Sequence, residues 1–156
     1  MEIFCTTIMT PVGTLSCFED DGHIVVLEWG QAPKGTETPL LKETKAQLSA
    51  YFSGKLTQFD LPLDPYGSDH QKKVWNQMRQ IPFGQTKSYG DIAKEINSAA
   101  QAVGGACGKN PIPIIIPCHR VVGAAGKMVG YSGGEGIETK RQLLRMEEAI
   151  ATSLQS

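Results

Sequence analysis

Residues 111–117 read Pro-Ile-Pro-Ile-Ile-Ile-Pro, and this run limits the possible folds more tightly than any other stretch of the chain. Its three prolines remove backbone donors and clash with a preceding helical turn, so the segment cannot lie in a helix interior. Its four isoleucines belong in a core. An extended segment passing through the core of a domain is therefore expected. It ends directly on Cys118, His119 and Arg120, so whatever those side chains do, they do from a rigid base.

The chain before this run divides in two. Ile3 to Met9, Leu15 to Phe18 and Ile24 to Trp29 are rich in β-branched and apolar residues, and Pro11-Val12-Gly13 and Asp20-Asp21-Gly22 punctuate them as an antiparallel meander. Leu41, Leu48, Tyr51 and Phe52 then recur at helical spacing up to Gly54. Asp60 to Gly67, with two prolines and a glycine, reads as a linker. Beyond it, Val74, Trp75, Met78 and Ile81 form one apolar helical face, Ser88 caps a short helix, and another short helix runs from about Ser98 to Ala106. That pair has the spacing of a helix-turn-helix, a pattern shared with many other packed helix pairs. Glycines 123, 126, 130, 133, 134 and 136 make the stretch after Cys118 a loop or wing, and a last helix spans about Glu138 to Ala151. The expected class is α+β: a small N-terminal antiparallel sheet with one helix over residues 1–66, then a mainly helical, winged helix-turn-helix-like part over residues 67–156.

Composition narrows the partners. At 156 residues and 40% apolar content the chain suits one ordinary domain or two very small ones, and disorder is excluded. The formal net charge of −1 averages two unequal parts. Residues 1–66 carry four Lys/Arg against nine Asp/Glu (net −5), and residues 67–156 carry eleven against seven (net +4). A polyanion would meet only the second part. No apolar run approaches the roughly 18–20 residues of a membrane span, and the start lacks the regions of a signal peptide, so a cytoplasmic chain with no membrane partner is expected. Cys5, Cys17, Cys107 and Cys118 form no C-x-x-C pair, which makes reduced thiols the default. Cys5, Cys17, His23 and His70 match no recognised zinc spacing, so no metal site is expected.

The chemistry gathers around Cys118. A thiol beside cationic groups can ionise more easily, and the thiolate is the nucleophile, although an arbitrary cysteine is more often inert and buried. In the last helix Glu147 falls on the face of Leu143, Leu144 and Ile150, whereas Glu148 lies outside it. A carboxylate there needs a partner. A histidine is the natural one, since a carboxylate fixes its tautomer and strengthens it as a base toward a thiol. Lys140, Arg141 and Arg145 are the alternative partners, as ordinary surface ion pairs.

Pro117-Cys118-His119-Arg120-Val121, preceded by Ala102-Val103-Gly104-Gly105-Ala106 and Asn110-Pro111 and followed by Gly130-Tyr131-Ser132-Gly133-Gly134, resembles the O6-alkylguanine-DNA alkyltransferase family. The resemblance runs from Val74 to Glu147, and more loosely through Thr6-Thr7 and Pro11-Val12-Gly13. It implies a ribonuclease-H-like first domain, 1–66, and a DNA-binding and alkyl-transfer domain, 67–156. The activity it implies is direct reversal of damage in double-stranded DNA. Cys118 would accept the alkyl group of a flipped O6-alkylguanine, or more weakly of O4-alkylthymine, once and irreversibly, because water has no easy route to cleave a thioether.

The same resemblance implies roles by position. His119 would be the base, acting through a water, Glu147 its orienter, Tyr89 the donor to the departing guanine and Asn110 a hinge. Pro113, Val121, Tyr131, Ser132 and Gly133 would form the base and alkyl pocket. Ala100, Gln101, Gly105, Lys109 and Arg120 would meet DNA, with no cofactor, in a monomer. Gln101 stands where the family carries an arginine that fills the gap left by the flipped base, which implies weaker binding or less efficient flipping. Three other readings are open: a non-catalytic lesion-binding relative, in which the cysteine is replaced; a cysteine hydrolase, for which no oxyanion hole or peptide cleft is evident; and a plain helix-turn-helix regulator, which leaves Glu147 unexplained.

Overall fold

In the computed structural model, residues 2–131 and 133–155 are described, and the chain forms two compact units, Met1–Tyr66 and Gly67–Ser156. Among the described residues no helix is long and apolar enough to cross a membrane.

The first unit is a meander of β1 (Phe4–Thr10), β2 (Gly13–Asp20) and β3 (His23–Trp29), antiparallel in the order β1-β2-β3. Asp21 and Gly22 both take positive φ, 48° and 74°, as a tight turn that matches the twist of its strands requires. The turn at Pro11 and Val12 is tied down by the Trp29 indole, which donates to the Val12 carbonyl at 3.0 Å. Helix α1 (Pro39–Phe52) starts on Thr38, whose hydroxyl accepts from the Leu41 amide, with proline at the first helical position. Its buried Leu41, Thr44, Leu48 and Tyr51 form the stripe that closes the sheet's core of Ile8, Leu15, Cys17 and Leu27.

The second unit is mainly helical. Ser68 and Gln71 form a reciprocal capping box at the start of α2 (Asp69–Arg79), whose Val74, Trp75 and Met78 are buried together with Ile81 just beyond its end. After β4 (Lys87–Ser88), a second capping box, Ser88 with Asp91, starts α3 (Tyr89–Glu95), so Tyr89 is the first helical residue. Helix α4 (Ala100–Gly108) begins two residues later than its sequence signals suggest. Ala99 precedes it without a side-chain cap. The Trp75 indole fixes α4 to α2 by donating to the Ala106 carbonyl at 2.9 Å.

Strand β5 (Val121–Val122) pairs in parallel with β4, and α5 (Ile137–Gln155), longer at both ends than expected, buries Thr139, Lys140, Leu143 and Glu147. The turn before β4 lies hard against this helix. Gly84 has φ +82°, and a Cβ there would stand 2.6 Å from the Ala151 Cβ, so only glycine fits the approach.

The expectation of an extended segment at 111–117 is corrected. Its isoleucines are buried, but the chain folds back on itself, with a bridge between Pro113 and Ile116. Prolines exclude a helix yet fix φ near the value that turns use, and turns are what form.

Candidate active site

The turns in this segment aim the reactive side chains. The Ile115 amide donates to the Pro113 carbonyl at 2.8 Å across Ile114, whose φ is +73°, a γ-turn that a β-branched residue adopts only under strain. A second turn of the opposite hand spans Pro117 (φ −81°, ψ 68°), closed by the Cys118 amide on the Ile116 carbonyl at 2.8 Å. Asn110 holds the two together: its Nδ2 donates to the Ile116 carbonyl at 2.8 Å and its Oδ1 accepts from the Ile112 amide at 2.9 Å. Strained backbone kept in place by such bonds is typical of a positioned site.

Cys118, His119 and Arg120 then form a single 3-10 turn packed against α5. Cys118 keeps 9% of its surface exposed, whereas His119 and Glu147 keep none, so of the three residues only Cys118 meets solvent at all. The His119 Nε2 lies 2.7 Å from the Glu147 Oε2. A carboxylate only accepts, so Nε2 carries the proton and Nδ1 keeps its lone pair. Nδ1 is buried and has no hydrogen-bond partner among the described residues. Glu147 therefore pairs with the histidine, and also with Arg120: Nε donates to Oε1 at 2.8 Å and Nη2 to Oε2 at 3.0 Å.

Sequence reasoning set Lys140 aside as a surface partner, and its place is different. It is fully buried, its Nζ donates to the carbonyls of Val121 at 2.6 Å and Val129 at 2.7 Å, and it lies 5.8 Å from the centre of the Tyr89 ring. The signal was present, since Lys140 shares the helix face of Leu143 and Glu147.

The electrostatics suit a base waiting for a proton. Burial pushes the Cys118 thiol up, opposed by the Asn110 side chain, the Lys140 charge and the backbone amides of Cys118 and His119. Adjacent cations thus do not make this a resting thiolate, as the sequence suggested they could, and a base is needed. Burial pushes His119 down, against the pull of Glu147 and with the help of Arg120 and Lys140, which keeps the imidazole neutral. Burial also works to raise Glu147, but its bonds to His119 and Arg120 outweigh it and hold the carboxyl well below its usual range. Burial pushes Tyr89 up to about 12, so its phenol retains the proton that it can donate.

The other expected residues divide. Tyr89 lies near the segment around residue 130, with its hydroxyl 3.4 Å from the Val129 carbonyl. Pro113, Tyr131 and Gly133 are half-buried and Val121 is fully buried, its carbonyl already accepting from Lys140. Ser132 lies outside the described residues. On α4, Ala100, Gln101 and Gly105 are exposed, as is Lys109 just after it, while Ala106 faces the core and Gly104 approaches Tyr89. Arg120 is corrected: it is 6% exposed and bound to Glu147 and to the Ile81 carbonyl, so it offers nothing to DNA. His70 is half-buried and bonded to the Ser98 hydroxyl at 2.9 Å. Among the described residues no group of three or more His, Cys, Asp or Glu is arranged to hold a metal ion. A cleft of about 530 Å³ between the Gly84 turn, Val122 and the Arg141 to Glu148 stretch of α5 reaches Glu147 but not Cys118, Tyr89 or Asn110.

Comparison with known proteins gives consistent matches. Residues 69–149 match the DNA binding domain of 6-O-methylguanine DNA methyltransferase, and residues 3–65 its ribonuclease-like domain. A methylated-DNA–protein-cysteine methyltransferase of Mycolicibacterium paratuberculosis is 53% identical over 150 residues, 90% of each chain. One from Methanosarcina acetivorans is 40% identical over 148 residues, 88% of this chain and 94% of the other. The match to the Mycobacterium tuberculosis relative, 55% identical over 107 residues, spans 64% of that protein's length. A crystal structure of Mycobacterium tuberculosis OGT in complex with DNA has a TM-score of 0.85 at 44% identity and covers 94% of both chains.

Proposed function

Because this chain belongs to the 6-O-methylguanine DNA methyltransferase family, we propose that it repairs alkylated DNA by moving the alkyl group from guanine O6, or less readily thymine O4, to the Cys118 sulfur, once per chain. The observation that carries this reading is the buried run Cys118, His119, Glu147. A thiol too weakly acidic to ionise unaided is followed by an imidazole whose tautomer is fixed and whose Nδ1 is unpaired among the described residues.

In this reading Nδ1 takes the thiol proton through a water while Glu147 stabilises the imidazolium that forms. The thiolate attacks the alkyl carbon, the carbon–sulfur bond forms as the carbon–oxygen bond breaks, and the electron pair leaves with guanine. Tyr89 supplies a hydrogen bond or proton to that departing base. The product is a thioether, and nothing in the site regenerates the thiol. Pro113, Val121, Tyr131, Ser132 and Gly133 form the pocket, and Asn110 holds the turn that aims the sulfur.

The target base is stacked in a duplex and has to be turned out of it. Helices α3 and α4 act as a helix-turn-helix, with α4 meeting the minor groove. Ala100 and Gly105 allow the backbone close to the DNA, Gln101 fills the vacated place, and Lys109 lies near the phosphates. The two units are the ribonuclease-H-like domain, 1–66, and the transfer domain, 67–156. The protein works without a cofactor as a monomer in the cytoplasm, where it has access to DNA.

The test is a titration of duplex carrying O6-methylguanine with the protein, counting restored guanines. One guanine per chain is expected, with a plateau. Tight binding without restoration would move the chain to the non-catalytic readers, and continued turnover would contradict the single-use mechanism. For Gln101→Arg, several-fold tighter duplex binding is expected from the added charge and planar guanidinium. Unchanged affinity and rate would show that position 101 does not meet DNA.

A further inference from the structure

The placement of Arg120 has a consequence for the base. We propose that Arg120 is a positioning residue: by holding both oxygens of Glu147, it lets that carboxylate orient His119 without keeping the imidazole protonated. The proposal rests on the alkyl-transfer reading and assigns Arg120 a part in it through Glu147, not through DNA.

The geometry carries it. Glu147 is fully buried and shared: Oε2 receives the His119 Nε2–H at 2.7 Å and the Arg120 Nη2–H at 3.0 Å, while Oε1 receives the Nε–H at 2.8 Å. The remaining arm of the guanidinium, Nη1, is fixed on the Ile81 carbonyl at 2.8 Å, and the Phe83 ring lies 5.7 Å from its centre. One planar fork thus makes three bonds in fixed directions, which an ammonium could not reproduce.

Without that fork, a buried carboxylate beside an imidazole would be most easily neutralised by a proton on the imidazole. An imidazolium has no lone pair at Nδ1, so it could not accept the thiol proton. With Arg120 in place, the carboxylate is balanced before the histidine is counted. The charged groups around His119 are Glu147 and Lys140 from α5 and Arg120 from its own turn, and the neighbouring titratable group is the Cys118 thiol. Helix α2, which also packs on this turn, buries only Val74, Trp75 and Met78. Two cations against one anion favour neutral His119, in keeping with the downward direction of its pKa.

The experiment uses the full chain, which has only three histidines, so the His119 ring can be followed by nitrogen NMR across pH. In the unaltered protein the neutral Nε2–H form is expected at pH 7. In Arg120→Leu the His119 titration should move up by about one to two pH units, and the acid limb of the methyl-transfer rate should move with it. The double variant Arg120→Leu with Glu147→Gln removes both charges while keeping an acceptor for Nε2–H, and it should return the titration and part of the rate. Arg120→Lys, which keeps the charge and loses the fork, gives the same reading with an intermediate shift should the leucine variant not fold. A doubly protonated His119 at pH 7 in the unaltered protein overturns the proposal. So does a uniform loss of rate with an unmoved acid limb, or a double variant no better than the single one. If the unaltered protein transfers no methyl group, the functional reading fails, while the histidine titrations still decide the role of Arg120.

Discussion

Glu147→Ala is expected to lower the unfolding free energy of the C-terminal unit by about 3–5 kcal/mol, the range found when one partner of a buried ion pair is removed. The loss comes from what remains. Arg120 would stay buried, its guanidinium keeping the bond to the Ile81 carbonyl but losing both carboxylate oxygens, and the His119 Nε2–H would lose its acceptor. Glu148→Ala, one residue along and exposed, serves as the control and should stay within about 0.5 kcal/mol of the unaltered protein. Urea unfolding of both variants reads the difference, and near-equal midpoints would contradict the buried triad.

The same groups predict the acid response. His119 has a folded pKa below its ordinary 6.5, so between the two values the unfolded chain binds more protons and stability falls as pH drops below about 6.5. Glu147 is held down to about 2, so its contribution is complete above the unfolded value of 4.5 and is lost as pH falls from there toward 2. Glu147→Ala should lose the second of these slopes.

Cys118→Ala is expected to abolish alkyl transfer while costing only about 1 kcal/mol of stability, the scale of a small buried truncation. The turns that place the thiol are closed by backbone groups and by the Asn110 bonds to Ile112 and Ile116, and all of these remain when the sulfur is removed. Duplex containing the lesion should still bind, because the exposed face of α4 and Lys109, proposed to meet DNA, are untouched. A repair assay and a gel-shift assay on the same preparation separate the two properties. Residual transfer at a measurable fraction of the normal rate would mean that another residue is the acceptor.

The site was partly legible in the sequence, for reasons that differ by residue. Glu147 could be found because helical periodicity puts it on a face with Leu143 and Leu144, and a carboxylate there needs a partner. Lys140 lies on the same face seven residues earlier, so periodicity pointed to it as well, but a lysine has a long stem that usually carries its charge to water, and that general tendency hid the signal. Arg120 looked like a DNA contact because sequence displays charge and not burial. That it is enclosed by Phe83, Ile81 and Glu147 depends on packing between segments far apart in the chain.

The fold shows the same division. Asp21-Gly22 specifies its hairpin locally, and Ser68 and Ser88 mark their helices. The run 111–117 announced that it was no helix and that it was buried. It could not announce that Ile114 adopts φ +73°, because a β-branched residue avoids that region unless surrounding bonds impose it, and here Asn110 and the Pro113 carbonyl do so.

The central claim is that Cys118 alone receives the alkyl group, and the direct measurement is the mass of the peptides after reaction with duplex O6-methylguanine. The account predicts a gain of one methylene on the peptide containing Cys118, rising to one equivalent per chain, with the peptides of Cys5, Cys17 and Cys107 unchanged. A methyl group on another cysteine, or an unmodified protein beside restored guanine, would contradict it.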